Sequence, residues 1–196
     1  TEYLAAQLAG NRRAALMLIE GALQRGLPAL DIQLNVITVA QRRIGQLWQE
    51  DRISIAQEHM ATAISQIALA HVYQSAVPRS SNGRKVIISC VPGELHDFPA
   101  RLVADALDLA GYDTRFLGAD VPLTSLLETI GKEQPDLVAL SVTMTFNIPA
   151  TRAAVADLRR ATDGKFPIVV GGNACAGRPA LAAELGADAT ARNARD

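Results

Sequence analysis

Apolar and polar positions along the chain follow two different rhythms. Up to about residue 75 they recur at helical spacing. Residues 11–26 carry polar Asn11 where a helix would be capped and Gly26 where it would stop. Pro28 opens a segment in which Ile32, Val36, Val39, Ile44 and Leu47 recur at roughly helical spacing, and this helix is predicted to end near residues 48–51. Ser54 and Gln57 have the spacing of a capping box, in which each residue satisfies a free N–H of the first turn. A further helix runs from there to about Ser75, with Ile64, Ile67 and Ala68 on its inner stripe. The pattern predicts a four-helix bundle over residues 1–76. Residues 77–84 contain Pro78, Ser80, Ser81, Asn82 and Gly83, have no periodicity, and read as a linker.

Beyond the linker, short β-branched runs alternate with helical patterns. The runs are 85–90, 114–117, 137–142 and 167–170, with a short fifth at 188–190. Helical patterns occupy 100–110, 123–132, 149–161 and 179–185, and Gly111 and Gly186 are placed to end helices. Strict alternation predicts an α/β domain over 85–196, a parallel sheet with helices on both faces. Five strands favour the flavodoxin-like, Rossmann-type order 2-1-3-4-5. In such a sheet a ligand binds beyond the carboxyl ends of the strands, where the strand order switches. Three loops meet there: residues 91–98, Ser141-Val142-Thr143, and Gly171-Gly172-Asn173.

Composition narrows the picture. Of 196 residues, 49% are hydrophobic and 20% charged, enough apolar material for packed cores. The formal net charge is −1, and the pairs Arg12-Arg13, Arg42-Arg43 and Arg159-Arg160 are dispersed, so direct nucleic-acid binding is disfavoured. Cys90 and Cys175 form no metal-ligand spacing, which points away from zinc or a disulfide framework and towards a reducing, cytoplasmic setting. No signal peptide and no run of membrane-spanning length is visible. A first residue that is not Met and a helix-like ending over 190–196 read as a fragment of a longer protein.

Candidate chemistry concentrates in the three loops. His96 follows the first strand closely, and Glu94 is two residues away, where a carboxylate can orient an imidazole and raise its basicity. Gly171-Gly172 allows close backbone approach after a strand. No P-loop and no G-x-G-x-x-G is present, so phosphate-anchored nucleotide binding is disfavoured. His71 and Tyr73 read as structural, and Met17, Met60 and Met144 as core packing.

The series Glu94-x-His96-x-x-Pro99, Ser141-x-Thr143 and Gly171-Gly172 resembles the D-x-H-x-x-G, S-x-L and G-G motifs of base-off, His-on cobalamin (vitamin B12) domains. Residues 117–122 also resemble that family's segment after the second strand. The resemblance implies that His96 is the lower cobalt ligand, Glu94 its orienting partner, Ser141 a contact to the nucleotide tail and Gly171-Gly172 a close-packed wall. Leu95, Asp97, Phe98 and Thr143 are implied as further cofactor neighbours. Glu94 stands where Asp is usual, and Pro99 where the motif has Gly; Pro suits the first turn of a helix, with Asp97 as its cap.

Trp48-x9-Glu58-His59 resembles the W-x9-E-H signature of CarH-like cobalamin photoreceptors. That resemblance implies a helical cap over the upper face of adenosylcobalamin, with Trp48 and Glu58 at the adenosyl group. His59 would bind cobalt after light breaks the Co–C bond. It implies a light-sensing regulatory module, not an enzyme, that forms dimers or tetramers in the dark and controls an output domain or partner outside these residues. Methylcobalamin and hydroxocobalamin are the other cofactor forms to weigh. The alternative is a corrinoid methyl-carrier module of a methyltransferase system, which a Trp-Glu-His lid argues against.

Overall fold

The computed structural model describes residues 1–178, 180–191 and 193–196. They form two compact units, Thr1–Val77 and Pro78–Asp196.

The first unit is built of helices. α1 (Glu2–Leu8) is capped by Thr1, and α2 (Arg12–Gln24) by Asn11, whose Oδ1 accepts the Ala14 N–H at 3.0 Å. A third rod begins as α3 (Ala29–Ile32), passes through a π-helical turn at Gln33–Ile37, and continues as α4 (Thr38–Gln49). α5 (Ile55–Ser75) starts with the capping box. Ser54 Oγ accepts from the Gln57 N–H at 3.2 Å, and Gln57 Oε1 accepts from the Ser54 N–H at 2.9 Å.

The π turn alters which face of the third rod is buried. Its extra residue rotates the following helix by about 100° relative to a continuous α-helix. The buried stripe therefore runs Ile32, Ile37, Ala40, Ile44 and Leu47, while Val39, expected inside, is exposed. Ile67 also faces out, and Met17 and Met60 are exposed rather than core. Met60 instead lays its sulfur over Gly10, where a Cβ would collide with it. His71 Nε2 pairs with Glu20 Oε2 at 2.7 Å and ties α5 to α2.

The second unit holds five parallel strands in the order β2-β1-β3-β4-β5. They are β1 (Lys85–Cys90), β2 (Asp113–Phe116), β3 (Leu137–Ser141), β4 (Ile168–Gly171) and β5 (Ala189–Ala191). The crossovers carry α6 (Phe98–Leu109), α7 (Leu123–Glu133), α8 (Ile148–Thr162) and α9 (Leu181–Leu185). Alternation along β1 splits the core. Val86, Ile88 and Cys90 pack with Ala100 and Ala104 of α6. Ile87 joins Leu126 and Ile130 of α7, Val155 and Leu158 of α8, and Leu181 and Leu185 of α9. Pro179, read as the start of the last helical pattern, lies outside the described residues, as does Arg192. Residues 193–196 form turns rather than helix.

The segment read as a linker is partly built into this unit. The Arg79 N–H donates to Leu109 O and the Asn82 N–H to Gly111 O, each at 2.9 Å. Gly111 has φ +94°, and a Cβ there would lie 2.3 Å from Ser80 O, so the chain can pass the end of α6 only over a glycine. No helix among the described residues is long and apolar enough to cross a membrane.

Gln33 is 1% exposed at the start of the π turn, and neither polar atom of its side-chain amide has a hydrogen-bond partner among the described residues. Burying an unpaired amide is costly, so Gln33→Leu is expected to raise the unfolding free energy by about 1–3 kcal/mol. Denaturant unfolding followed by circular dichroism measures this. A loss of stability would mean that the amide is satisfied in solution.

Candidate functional site

The carboxyl ends of the strands stand in one register. Cys90 is paired with Ser141, Ser141 with Gly171, and Gly171 with Ala191. The loops that leave β1 and β3 just beyond this row lie at the point where the strand order switches.

After Cys90 the chain turns through Gly93, at φ +82°, and sends Glu94 back under the loop. Its carboxylate is completely buried and accepts from five donors. Oε1 takes the His96 N–H at 3.0 Å and His96 Nδ1 at 2.6 Å. Oε2 takes the N–H groups of Thr143 and Met144, each at 2.9 Å, and the Asn147 side-chain amide at 3.0 Å. Burial by itself drives the Glu94 carboxyl upward. The bonds from Met144, Asn147 and His96 outweigh it and hold the group at about 2.

An ionised carboxylate only accepts, so the proton on the His96 ring is placed on Nδ1. In the neutral ring Nε2 then carries the free lone pair. The His96 side chain is 51% exposed, against 0% for Glu94. The pair is therefore an anchored imidazole with one basic nitrogen available, the arrangement a metal-binding histidine requires. Among the described residues no group of three or more His, Cys, Asp or Glu could hold a bare metal ion. A cobalt already held by a corrin ring needs only the one nitrogen this site offers.

The neighbouring loops are fixed to this pair. Asp120 Oδ1 accepts the Gly93 N–H at 2.7 Å, and its own N–H donates to Glu94 O at 2.9 Å. Gly172 has φ +104°, and a Cβ there would lie 2.2 Å from Val142 O. Only glycine lets the third loop lie against the second. Ser141 is 6% exposed at the end of β3. The Thr143 hydroxyl is buried with no partner among the described residues, a polar atom left for a ligand to meet. A free imidazole nitrogen, an orphan hydroxyl and a cradle that a side chain would fill all fit a corrinoid and its tail.

The remaining sequence-predicted residues fare differently. Leu95 is exposed beside His96, while Phe98, also expected at the cofactor, is buried as the first residue of α6. Asp97 occupies the cap position, but its side chain makes no capping bond, and Pro99 does sit in the first turn. Cys90 Sγ lies 3.7 Å from His96 O, and burial, with the charges of Asp97 and Glu94, pushes the thiol up to about 12.

Asn147 was not singled out from the sequence, and Asp120 was picked out only as part of the 117–122 segment, with no role of its own. Asn147 precedes Ile148-Pro149, where it reads as an ordinary helix-entry residue. Its side chain serves Glu94 instead of capping α8.

In the helical unit, Trp48 near the end of α4 and Glu58-His59 in the first turns of α5 fall at the same end of the bundle. Trp48 is 36% exposed, so it is no core anchor. Glu58 Oε1 accepts from the Thr62 hydroxyl at 2.7 Å, and Glu58 Oε2 lies 3.7 Å from Nδ1 of the exposed His59.

The fold and this site define a corrinoid-binding module. The chain matches the B12 binding domain model over residues 84–196, and a second model of that description over residues 1–73. It belongs to the B12-binding domain family, and it binds cobalamin. It is 31% identical over 121 residues to the HTH-type transcriptional repressor CarA of Myxococcus xanthus, a match covering 62% of this chain and 41% of that protein. The chain thus aligns with about two fifths of the repressor. It is 25% identical over 190 residues to dimethylamine corrinoid protein 1 of Methanosarcina mazei, covering 95% of this chain and 86% of that one. The monomethylamine corrinoid protein of Methanosarcina barkeri shares the fold, with a TM-score of 0.84 at 24% identity over 98% of this chain and 92% of that one. These relatives are a repressor and corrinoid proteins.

The held-down Glu94 carboxyl makes a pH prediction for the cofactor-free chain. A folded value of about 2 against an ordinary 4.5 gives stability that is present above pH 4.5 and lost as the pH falls towards 2. Over that interval it amounts to about 3 kcal/mol. Glu94→Gln should unfold more easily than the parent at pH 7, and the gap should narrow below pH 4.5. Urea titrations of both proteins between pH 3 and 7 measure the gap; a constant difference would contradict the assignment.

Proposed function

We propose that this chain is a light-sensing regulatory module that binds adenosylcobalamin base-off, with His96 as the lower cobalt ligand. The observation that carries the light-sensing part is that Trp48, in the last turn of α4, and His59, in the first turns of α5, are exposed, while the Glu58 carboxylate is already fixed by its neighbours. A large aromatic ring and an imidazole held out of the core are what a ligand-facing surface requires.

In this reading Glu94 holds the His96 ring by Nδ1, so that Nε2 meets cobalt. Ser141, Thr143, Gly171 and Gly172 border the nucleotide tail, and Leu95, Asp97 and Phe98 complete the loop around His96. Bound adenosylcobalamin supplies a cobalt–carbon bond that visible light cleaves. Trp48 would pack against the adenosyl group, Glu58 would accept a hydrogen bond from it, and His59 would be a second imidazole available to the cobalt. Loss of the contacts to Trp48 and Glu58 biases the cap between two arrangements. The readout is a change in homo-oligomer assembly, passed to an output domain or partner protein in the cytoplasm. The match to the repressor CarA supports this reading.

A second reading is a corrinoid methyl carrier of a methyltransferase system. It is favoured by the match to dimethylamine corrinoid protein 1, which extends over 95% of this chain.

Illumination separates the two. The chain loaded with adenosylcobalamin in the dark is expected to change both its visible spectrum and its size in solution under green light. His59→Ala should bind equally in the dark but lose the stable bis-imidazole light product. His96→Ala should bind cobalamin more than about tenfold more weakly. Methyl transfer from the methylcobalamin-loaded chain to a thiol acceptor, with neither spectrum nor assembly of the adenosyl form altered by light, would establish the carrier instead.

A further inference from the structure

The helical unit contains a line of polar side chains that its packing does not need. Glu58, Thr62 and Ser65 lie at i, i+4 and i+7 along α5, on one stripe of the helix. Gln41 of α4 and Gln7 of α1 reach the same stripe. Gln7 and Ser65 are completely buried, in a bundle interior where aliphatic residues would pack at lower cost.

The hydrogen bonds of these residues all run the same way. Gln7 Nε2 donates to Ser65 Oγ at 2.7 Å, and Ser65 Oγ donates to Gln41 Oε1 at 2.8 Å. Gln41 Nε2 donates to Thr62 Oγ1, and also to Glu58 Oε1 at 3.4 Å. Thr62 Oγ1 then donates to Glu58 Oε1 at 2.7 Å. A second bond from Gln7 Nε2, to Ala61 O at 3.2 Å, fixes the amide at the far end. Each hydroxyl accepts from the residue behind it and donates to the residue ahead. The chain crosses three helices and ends on one oxygen of one carboxylate. Aligned donors of this kind polarise one another and strengthen the last bond.

We propose that Gln41 and Thr62, backed by Ser65 and Gln7, are positioning residues that hold Glu58 as a fixed acceptor for a hydroxyl-bearing upper ligand of the cofactor. This rests on the reading above that Glu58 faces that ligand. Two donors occupy Oε1 and set the plane of the carboxylate, which leaves Oε2 as the open acceptor. An acceptor held in place rewards a group that brings an O–H, such as the sugar of a nucleoside, and gives nothing to a methyl group. The relay therefore sets selectivity between upper ligands, and it joins the residue at the ligand to α1 through the core of the bundle.

Two measurements test this. The first compares the affinity of the full chain for adenosylcobalamin and for methylcobalamin in the dark. The parent is expected to prefer the adenosyl form. Thr62→Val, which removes the hydroxyl at constant volume, should reduce that preference about tenfold with methylcobalamin binding unchanged. Thr62→Ser should restore it. The second measurement uses the chain without cofactor. Glu58→Gln should shift the side-chain amide resonances of Gln41 and, through Ser65, of Gln7. A parent that binds both forms equally would remove Glu58 from the upper ligand and take this proposal with it. A preference in the parent that Thr62→Val leaves intact would overturn the positioning role alone, as would Gln41 and Gln7 signals that do not move.

Discussion

A buried carboxylate with five donors and no exposure holds the cofactor end of this protein together. Glu94 would be expensive to bury alone, because removing its charge from water costs several kcal/mol before any bond is formed. The cost is met by donors from three places in the sequence: the loop after β1, the loop after β3, and the turn that enters α8. Each donor is aimed only if its loop is in position. The carboxylate therefore specifies the geometry of all three segments at once, and it leaves His96 with one nitrogen tied down and the other open.

The sheet makes that convergence possible. Parallel strands in register bring Cys90, Ser141 and Gly171 to a common edge, so the loops leave from neighbouring points. The backbone then decides how closely they approach. At Gly172 the missing side chain brings the third loop against Val142. The Ala174 N–H also donates to Val142 O at 3.2 Å, which closes that contact with a hydrogen bond. Asp120 binds the Gly93 N–H and the Glu94 carbonyl and completes the set from the β2 side. Glu in place of the usual Asp suits this layout, since the longer arm reaches donors along the connection from β3 to α8 as well as His96.

Strand order and the role of Glu94 towards His96 were legible because both depend on local pattern. Alternating β and α segments dictate a parallel sheet, and a carboxylate two residues from a histidine is within reach of its ring. The partners from elsewhere in the chain were not legible. Nothing near Asn147 distinguishes a residue that serves Glu94 from one that caps a helix, and backbone N–H groups leave no mark in a sequence. The π turn at Gln33–Ile37 was invisible for a related reason. One extra residue in a turn moves Val39 out and Ala40 in without disturbing composition or capping. Phe98 adjoins the motif in sequence, and its burial in the first turn of α6 could not be read from that position.

The two acid–imidazole pairs differ in how firmly the ring is held. Glu94 and His96 are 2.6 Å apart, and the acid is saturated with donors. That ring cannot turn without leaving a buried charge short of a partner, so its orientation is set before any cofactor arrives. Glu58 and His59 are 3.7 Å apart on adjacent positions of one helix, and the His59 side chain is 62% exposed. Glu58 is held from behind by Thr62 and Gln41 rather than by the histidine, so His59 can move while the acid stays. Under the proposed function this asymmetry is a requirement. A lower ligand that is always in place keeps the cofactor bound throughout, and only an upper ligand free to come and go can make its chemical state visible to the fold.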